Sequence, residues 1–365
     1  MPLVAHNDLP SFKRLRQEGQ TVLDLERARR QDIRELHIGL LNMMPDKALD
    51  ATERQFFRLI GESNPIAQFY MHPFTLPELK RGTEAQAHIN RYYEQFEQIR
   101  EDGLDALIIT GANVTHPHLA SEPFWVPLNR VIEWAYENVA STLCSCLATH
   151  AVLESRYHQR RVLQTTKRWG VFRHQLCDSS HPLIKDVNTQ FDVPHSRWND
   201  ISCNQFEAAG AKILAYSKAV GVHLAVSPDG FRMVFFQGHP EYDTISLLKE
   251  YKRELLRFAD GQCNQEPPFP EHYLPPRTQA ILNEYRDLLL EAKTLNQPNP
   301  QFPEHLIVPK LNNTWHDTAE AIVGNWMGLI YQVTNQNRRV SFMEHINPDN
   351  PLNLNFIYSP SCCTH

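Results

Sequence analysis

No apolar run in this 365-residue chain approaches the length of a membrane span, and its first residues, MPLVAHNDLPSF, hold no apolar core of signal-peptide length. The expectation is a cytoplasmic protein with no membrane contact. A basic character is missing too: 36 Lys and Arg stand against 42 Asp and Glu, a net charge of -6. That balance gives nucleic acid no electrostatic footprint. Cysteine pairs at metal-ligand spacing are absent, as is any HxxxH or HExxH pair among the 18 histidines, so no metal site is expected. Most of the seven cysteines read as small buried hydrophobes in a reducing compartment, with Cys362 and Cys363 as reduced surface thiols in a polar tail. No internal repeat is present.

What is present is an alternation of short apolar runs and amphipathic stretches. Leu36–Leu41 reads as a buried strand that stops at Asn42-Met43-Met44-Pro45, and 52–60 places Phe56, Phe57 and Ile60 on one helical face. Further strands are expected at Ile66–Phe69, Ala106–Ile109 and Ala140–Ser145. Helices are expected at 84–101, Leu128–Tyr136 and Leu147–Leu153. Strands alternating with helices predict an α/β fold with a doubly wound, mostly parallel sheet. From 160 to 236 the chain turns to short β-rich pieces, which extend the sheet or flank it as antiparallel hairpins. A helix follows at Asp243–Ala259. Residues 263–276 are proline-rich and extended, Thr278–Lys293 is periodic and helical, and Thr318–Thr334 is an apolar helix with Trp326, Leu329 and Tyr331 on a core or dimer surface. The organisation expected is a main domain over 1–260, a proline-rich segment with an inserted helix over 261–312, and a C-terminal helix and tail over 313–365.

Two features carry chemistry. Cys146 stands at a strand-to-helix junction, at the carboxyl edge of a parallel sheet where ligands bind. The adjoining helix N-terminus favours a thiolate and, later, an oxyanion. Cys144, inside the strand, suits the role of a core thiol. The second feature is Gln237-Gly238-His239-Pro240-Glu241, directly after the apolar run FRMVFF. Residues two apart in extended backbone share a face, so His239 and Glu241 stand side by side. A cysteine nucleophile requires that pair: a base for its proton and an acid to orient the base.

At these residues the chain resembles the glutamine-amidotransferase-type α/β fold, and more specifically the homoserine O-acyltransferases of methionine biosynthesis that use it. Matching pieces include Leu41-Asn42-Met43-Met44-Pro45, Lys47, Thr52-Glu53, Gln55, Thr110-Gly111-Ala112, Pro194-His195-Ser196-Arg197 and Gly238-His239-Pro240-Glu241-Tyr242-Asp243. The similarity resumes at Asn325-Trp326 and Asn347-Pro348. The resemblance implies Cys146 as acyl-thioester nucleophile, His239 as proton acceptor and Glu241 as third catalytic residue. Lys167, Ser196 and Arg253 fall at substrate-holding positions, and Lys47 near the site. Backbone N–H groups of Leu147 and of the Gly111 loop would hold the oxyanion. Acyl-CoA would be a co-substrate, with no bound cofactor, and the working form a homodimer.

Leu147 replaces the family's usual tryptophan, Asn113 its usual proline, and the segment 264–312 has no counterpart in shorter members. Thr115 falls where the family associates glycine with succinyl-CoA and glutamate with acetyl-CoA. An uncharged hydroxyl there favours succinyl-CoA, while its volume keeps acetyl-CoA open, with homoserine or serine as acceptor. A glutamine amidohydrolase is the competing enzyme, but the Gly-x-Cys-x-Gly elbow is absent. A non-catalytic binding protein is the remaining alternative.

Overall fold

The computed structural model of the protein describes residues 3–63 and 67–354. One sheet of eleven strands organises them. In chain order these are β1 (Leu3–Ala5), β2 (Val22–Asp24), β3 (Glu35–Leu41), β4 (Gln68–Phe74), β5 (Ala106–Ile109), β6 (Ser141–Ser145), β7 (Val162–Leu176), β8 (Gln190–Asp200), β9 (Lys212–Ser217), β10 (Gly221–Val226) and β11 (Met233–Phe236). They lie in the order β2-β1-β4-β3-β5-β6-β11-β10-β9-β7-β8. Pairing is parallel from β2 to β11 and antiparallel from there to β8. The doubly wound α/β expectation therefore holds, and the β-rich middle region extends the sheet instead of forming a separate layer.

The central strands are apolar on both faces because helices cover both. Alternation sorts their side chains. Ile108, Val234 and Phe236 face a core shared with the helices Asp46–Ser63 and His316–Val333. Leu107, Ile109, Cys144 and Phe235 face the helices Trp125–Asn138 and Leu147–Tyr157. Trp326 is core: it is 1% exposed, and its indole N–H donates to Ser141 Oγ at 2.8 Å, at the root of β6. Leu329 packs against the same core, and Tyr331 is exposed.

Several expectations are corrected. Ile66 lies outside the described residues, and the strand expected there runs on to Phe74. Pro73 is tolerated because β1 reaches only Phe69, so beyond that point the strand has a ladder on one side alone. The helix expected over 84–101 is two, Thr83–Tyr92 and Phe96–Asp102. The break lets the Glu94 N–H donate to the Pro73 carbonyl at 2.9 Å. The pieces RRVLQ and KRWGVFRH belong to one strand, β7, and its partner β8 carries the Pro194–Arg197 motif. Cys144 is buried and free, but Cys177 and Cys203 are half-buried and disulfide-bonded, so those two are not the reduced core thiols expected. Cys362 and Cys363 lie outside the described residues.

The proline-rich segment docks through one glycine. Glu271 N–H donates to the Trp169 carbonyl at 2.8 Å, and its own carbonyl accepts from Val171 N–H at 2.9 Å. Between them stands Gly170, at φ +149°, where a Cβ would lie 2.2 Å from Glu271 O. Helix Pro276–Thr294 then packs Leu282, Tyr285 and Leu289 against Trp169, Leu248, Tyr251 and Leu255. Gly170→Ala is expected to lower unfolding stability by about 2–4 kcal/mol, because strain and backbone overlap add. Urea denaturation checks this; an unchanged midpoint would show that the segment docks without this bridge.

Candidate active site

Strand register brings the chemistry-bearing residues to one edge. Ile109 pairs with Cys144, and Phe236 with Ser145, so β5, β6 and β11 end together. Thr110-Gly111, Cys146 and Gln237-Gly238-His239 are the residues that leave those three ends. Cys146 turns at φ 51° and ψ -106°, outside the usual regions for a side-chain-bearing residue, and caps the helix Leu147–Tyr157. Its N–H donates to Phe236 O at 2.8 Å. Thr149 Oγ1 donates to Cys144 O and Phe236 O at 2.8 and 3.0 Å, which ties the helix back onto both strand ends. A Cβ built on Gly111 would touch Cys146 Cβ at 3.8 Å. Among the described residues, neither the Leu147 nor the Gly111 N–H donates a hydrogen bond, so both remain for a developing oxyanion.

His239 Nδ1 and Glu241 Oε1 are 2.8 Å apart, both residues buried. Burial opposes charge on the imidazole, but the Glu241 carboxylate and the hydrogen-bonded Cys146 sulfur outweigh it and hold His239 well above the usual 6.5. Cys144, one strand position inward, has its thiol pushed up by burial and stays inert.

The shell behind His239 is built from neutral histidines. Its N–H donates to Pro194 O at 2.8 Å, and a Cβ on Gly238 would meet Val193, His195 and His223 within 3.0 Å. Arg197 Nε donates to His195 Nδ1 at 3.4 Å, so His195 Nε2 carries the proton and donates to His174 Nε2 at 3.2 Å; the Nδ1–H of His174 goes to Phe172 O. Burial lowers the pKa of all three, to about 4 for His174 and well below 6.5 for His195 and His223. Gln237 fixes the other side: its amide donates to Ile201 O and Val222 O, and its oxygen accepts from Ile201 N–H and faces His150 Nε2 at 3.0 Å.

Of the four residues expected around the substrate, two meet. Lys167 Nζ lies 3.2 Å from Glu250 Oε2, and Ser196 Oγ donates to the same oxygen at 2.6 Å. Arg253 lies one turn further along the helix Ser246–Ala259, exposed and paired with Glu254. Lys47 is exposed near the start of helix Asp46–Ser63. Thr115 is committed elsewhere, its hydroxyl donating to Glu122 Oε2 at 3.2 Å.

Glu250 escaped sequence reasoning, and Tyr242 was read only as part of a matched motif. Glu250 also accepts from the Tyr242 hydroxyl at 2.7 Å, and the Tyr242 ring stacks on His239 with centroids 4.3 Å apart. Burial works to raise the Glu250 carboxyl, but Lys167, Ser196 and Tyr242 pull it below the usual 4.5. The signal was a glutamate beside Tyr251 in the apolar stripe Leu247, Leu248, Tyr251, Leu255. The matched piece around Thr52-Glu53 and Gln55 has a holding role: Arg54 and Arg58 pair with Asp243, and Gln55 Nε2 donates to Ser246 Oγ at 2.8 Å, just beyond Glu241. Glu53 is fully buried and accepts from Ser11 and His88.

Among the described residues, one group of ligand-type side chains gathers, His6, His72 and Glu94, within 4.8 Å. Their ring nitrogens are engaged: His72 Nδ1 is 2.7 Å from Glu94 Oε1 and its Nε2 2.8 Å from His37 Nδ1, and His6 Nδ1 and Nε2 face Val4 O at 3.2 Å and Asn7 Nδ2 at 3.5 Å. No helix of the described residues is long and apolar enough to cross a membrane.

A thiol at a strained strand-to-helix turn, facing an imidazole that a buried carboxylate orients, is the arrangement by which thiol enzymes perform nucleophilic acyl chemistry. The family model described as "HTS: Homoserine O-succinyltransferase" matches residues 2–336. The chain is 66% identical over 354 residues to homoserine O-succinyltransferase of Allochromatium vinosum, covering 97% of this chain and 99% of that one. It is 50% identical over 352 residues to the protein of that name from Cardiobacterium hominis, covering 96% and 99%. A glutamine amidotransferase from Thermotoga maritima superposes with a TM-score of 0.45 at 10% identity, covering 81% of this chain and 97% of that one. This chain belongs to the homoserine O-succinyltransferase family. The long alignments also run through 264–312, so the added segment is shared with these relatives.

Lys167→Met would leave Glu250 a buried carboxylate without its counter-charge, and is expected to cost about 3–5 kcal/mol at neutral pH. Because the folded Glu250 carboxyl lies below 4.5, its stabilising contribution is present above that pH and fades as pH falls through the folded value. The deficit of the variant should therefore shrink in acid. Denaturant unfolding at pH 7 and pH 4 measures both; equal deficits would remove Glu250 from the account.

Proposed function

We propose that the chain transfers the succinyl group of succinyl-CoA to the hydroxyl of L-homoserine, in methionine biosynthesis, through a thioester on Cys146. The observation that carries this reading is Cys146 at its strained turn, its sulfur near enough to raise the proton affinity of a His239 that Glu241 orients, in a chain of this family. His239 takes the thiol proton and the sulfur attacks the thioester carbonyl. The Leu147 and Gly111 N–H groups receive the oxyanion. The intermediate collapses, the C–S bond to CoA breaks, and His239 returns the proton to the departing thiolate. Homoserine then enters. His239 takes its hydroxyl proton as the oxygen attacks the Cys146 thioester, and the sulfur leaves and is reprotonated. Thiol-to-thiol exchange in the first half is nearly isoenergetic and empties the donor site for the acceptor.

Glu241 holds the imidazole in the tautomer that presents Nε2 to sulfur and hydroxyl in turn. Tyr242, stacked on the ring and anchored to Glu250, fixes its plane. Lys167 and Ser196 converge on Glu250, which holds both side chains in place. Arg253, exposed on the same helix, takes the amino acid's carboxylate in this reading, as a guanidinium binds one in bidentate fashion. Residues 1–260 form the catalytic unit in this reading, with 261–312 and, as far as Leu354, the C-terminal segment packed onto it. CoA thioesters are intracellular metabolites, which places the enzyme in the cytoplasm; the working form is a homodimer, checked by light scattering.

Mass spectrometry after incubation with succinyl-CoA tests the core of this. Wild type and Cys144→Ala are expected to carry the acyl adduct and Cys146→Ala none. An adduct that moves with Cys144 would overturn the assignment. Arg253→Ala should raise the homoserine KM by on the order of 30-fold or more and leave CoA release in the first half-reaction nearly unchanged. Equal losses in both half-reactions would place Arg253 with the donor or the fold instead.

A further inference from the structure

The loop that follows Gly111 is folded around a negative charge. Thr115 N–H and His116 N–H both donate to Glu122 Oε1 at 2.6 Å, and the Thr115 hydroxyl donates to Oε2. Burial works to raise the Glu122 carboxyl, but these donors hold it below the usual range, so it is anionic at neutral pH. Thr115 consequently has no free hydroxyl proton to offer an acyl group, and a second carboxylate near this loop meets repulsion. A donor with a free carboxylate needs a cation here.

Arg161 is that cation. It stands immediately before β7, where the chain returns from helix Leu147–Tyr157. Its Nη2 reaches the His116 and Pro117 carbonyls only at 3.4 Å, and its Nε is buried without a partner. Among the described residues it has no carboxylate within ion-pair distance, although it lies close enough to feel the charges of Glu154, Glu122 and Cys146. Burial depresses its pKa, whereas Arg58 and Arg156, which have direct carboxylate partners, are raised despite burial. A half-buried guanidinium with an orphaned N–H, resting on the loop of Thr115 and near enough to Cys146 to feel its charge, lacks one thing: a planar anion.

We propose that Arg161 binds the free carboxylate of the succinyl group and so selects the dicarboxylic acyl donor over acetyl-CoA. This rests on the reading of Cys146 as acyl carrier. The two methylenes of the succinyl chain separate the thioester carbonyl at Cys146 from the carboxylate at Arg161. The long contacts to His116 and Pro117 keep the guanidinium on the loop, and Glu122 balances its charge while the site is empty. Arg161 is a specificity-determining residue that touches the donor and takes no part in proton transfer.

The test uses CoA release without acceptor, with succinyl-CoA and with butyryl-CoA, which has the same chain length and no charge. For Arg161→Gln, kcat/KM for succinyl-CoA is expected to fall at least about 30-fold, the effect of removing one member of a buried charge pair. The butyryl-CoA value should change less than about threefold, which also shows that the variant folds. Arg161→Lys should recover part of the succinyl rate, because the charge returns without the fork. Parallel losses for both donors would mean that Arg161 only braces the loop, and an unchanged succinyl rate would also overturn the proposal. Acyl labelling that persists in Cys146→Ala would instead refute the underlying reading.

Discussion

At Cys146 the backbone leaves β6 in a conformation that costs a side-chain-bearing residue on the order of 1–3 kcal/mol. The turn persists because its surroundings over-determine it. Phe236 O accepts from the Cys146 N–H, Thr149 bridges the two strand ends, and Ala148, Ala151 and Val152 are buried one turn below. The same turn frees the Leu147 N–H and lifts the sulfur clear of the strand towards His239. Strain, the free Leu147 N–H and the position of the Cys146 sulfur are therefore one constraint, set by the register of three parallel strands.

Electrostatics around that turn come in two tiers. Close to the sulfur, Glu241 and Cys146 share His239 and raise its affinity for a proton against burial. Further out, Glu250 is neutralised by Lys167 and two hydroxyl donors, and reaches His239 through the stacked ring of Tyr242. Asp243 continues the series, held by Arg54 and Arg58 from across the sheet edge. Each carboxylate has its own cation or donors, so the catalytic segment is fixed from both ends.

Much of the parallel half was legible in the sequence, because its strands are short apolar runs with helices between. Ala106–Ile109 falls on its expected bounds, and the Cys146 junction follows from a strand meeting a helix with no loop. The antiparallel half was less so. β7 and β8 have one face open to solvent for much of their length, so polar residues such as Gln164, Thr165 and Arg173 break the apolar signal, and β8 went unseen behind its Pro194–Arg197 motif. The His239–Glu241 pair was readable because it is local, two residues apart. Glu250 with Lys167 and Ser196, or Arg161 with the 115–118 loop, is brought together by topology alone, which periodicity does not encode. The commitment of Thr115 to Glu122 was equally invisible, since a hydroxyl read in isolation is free.

The neutral imidazoles packed beneath the catalytic loop carry a thermodynamic consequence. His174, His195 and His223, with His150 and His181 elsewhere in the core, are all held below 6.5 by burial, so the native state takes up fewer protons than the unfolded chain as the medium acidifies. Each site then withdraws up to about 1.4 kcal/mol of folding free energy per pH unit below the ordinary histidine pKa, until its own native value is reached. Several sites titrating over one interval make proton uptake by the unfolded chain steep, and a drop from pH 6.5 to 5 is enough to draw on most of a domain's usual 5–15 kcal/mol margin. Acidification of its surroundings would thus weaken the folded enzyme through the histidines of its core.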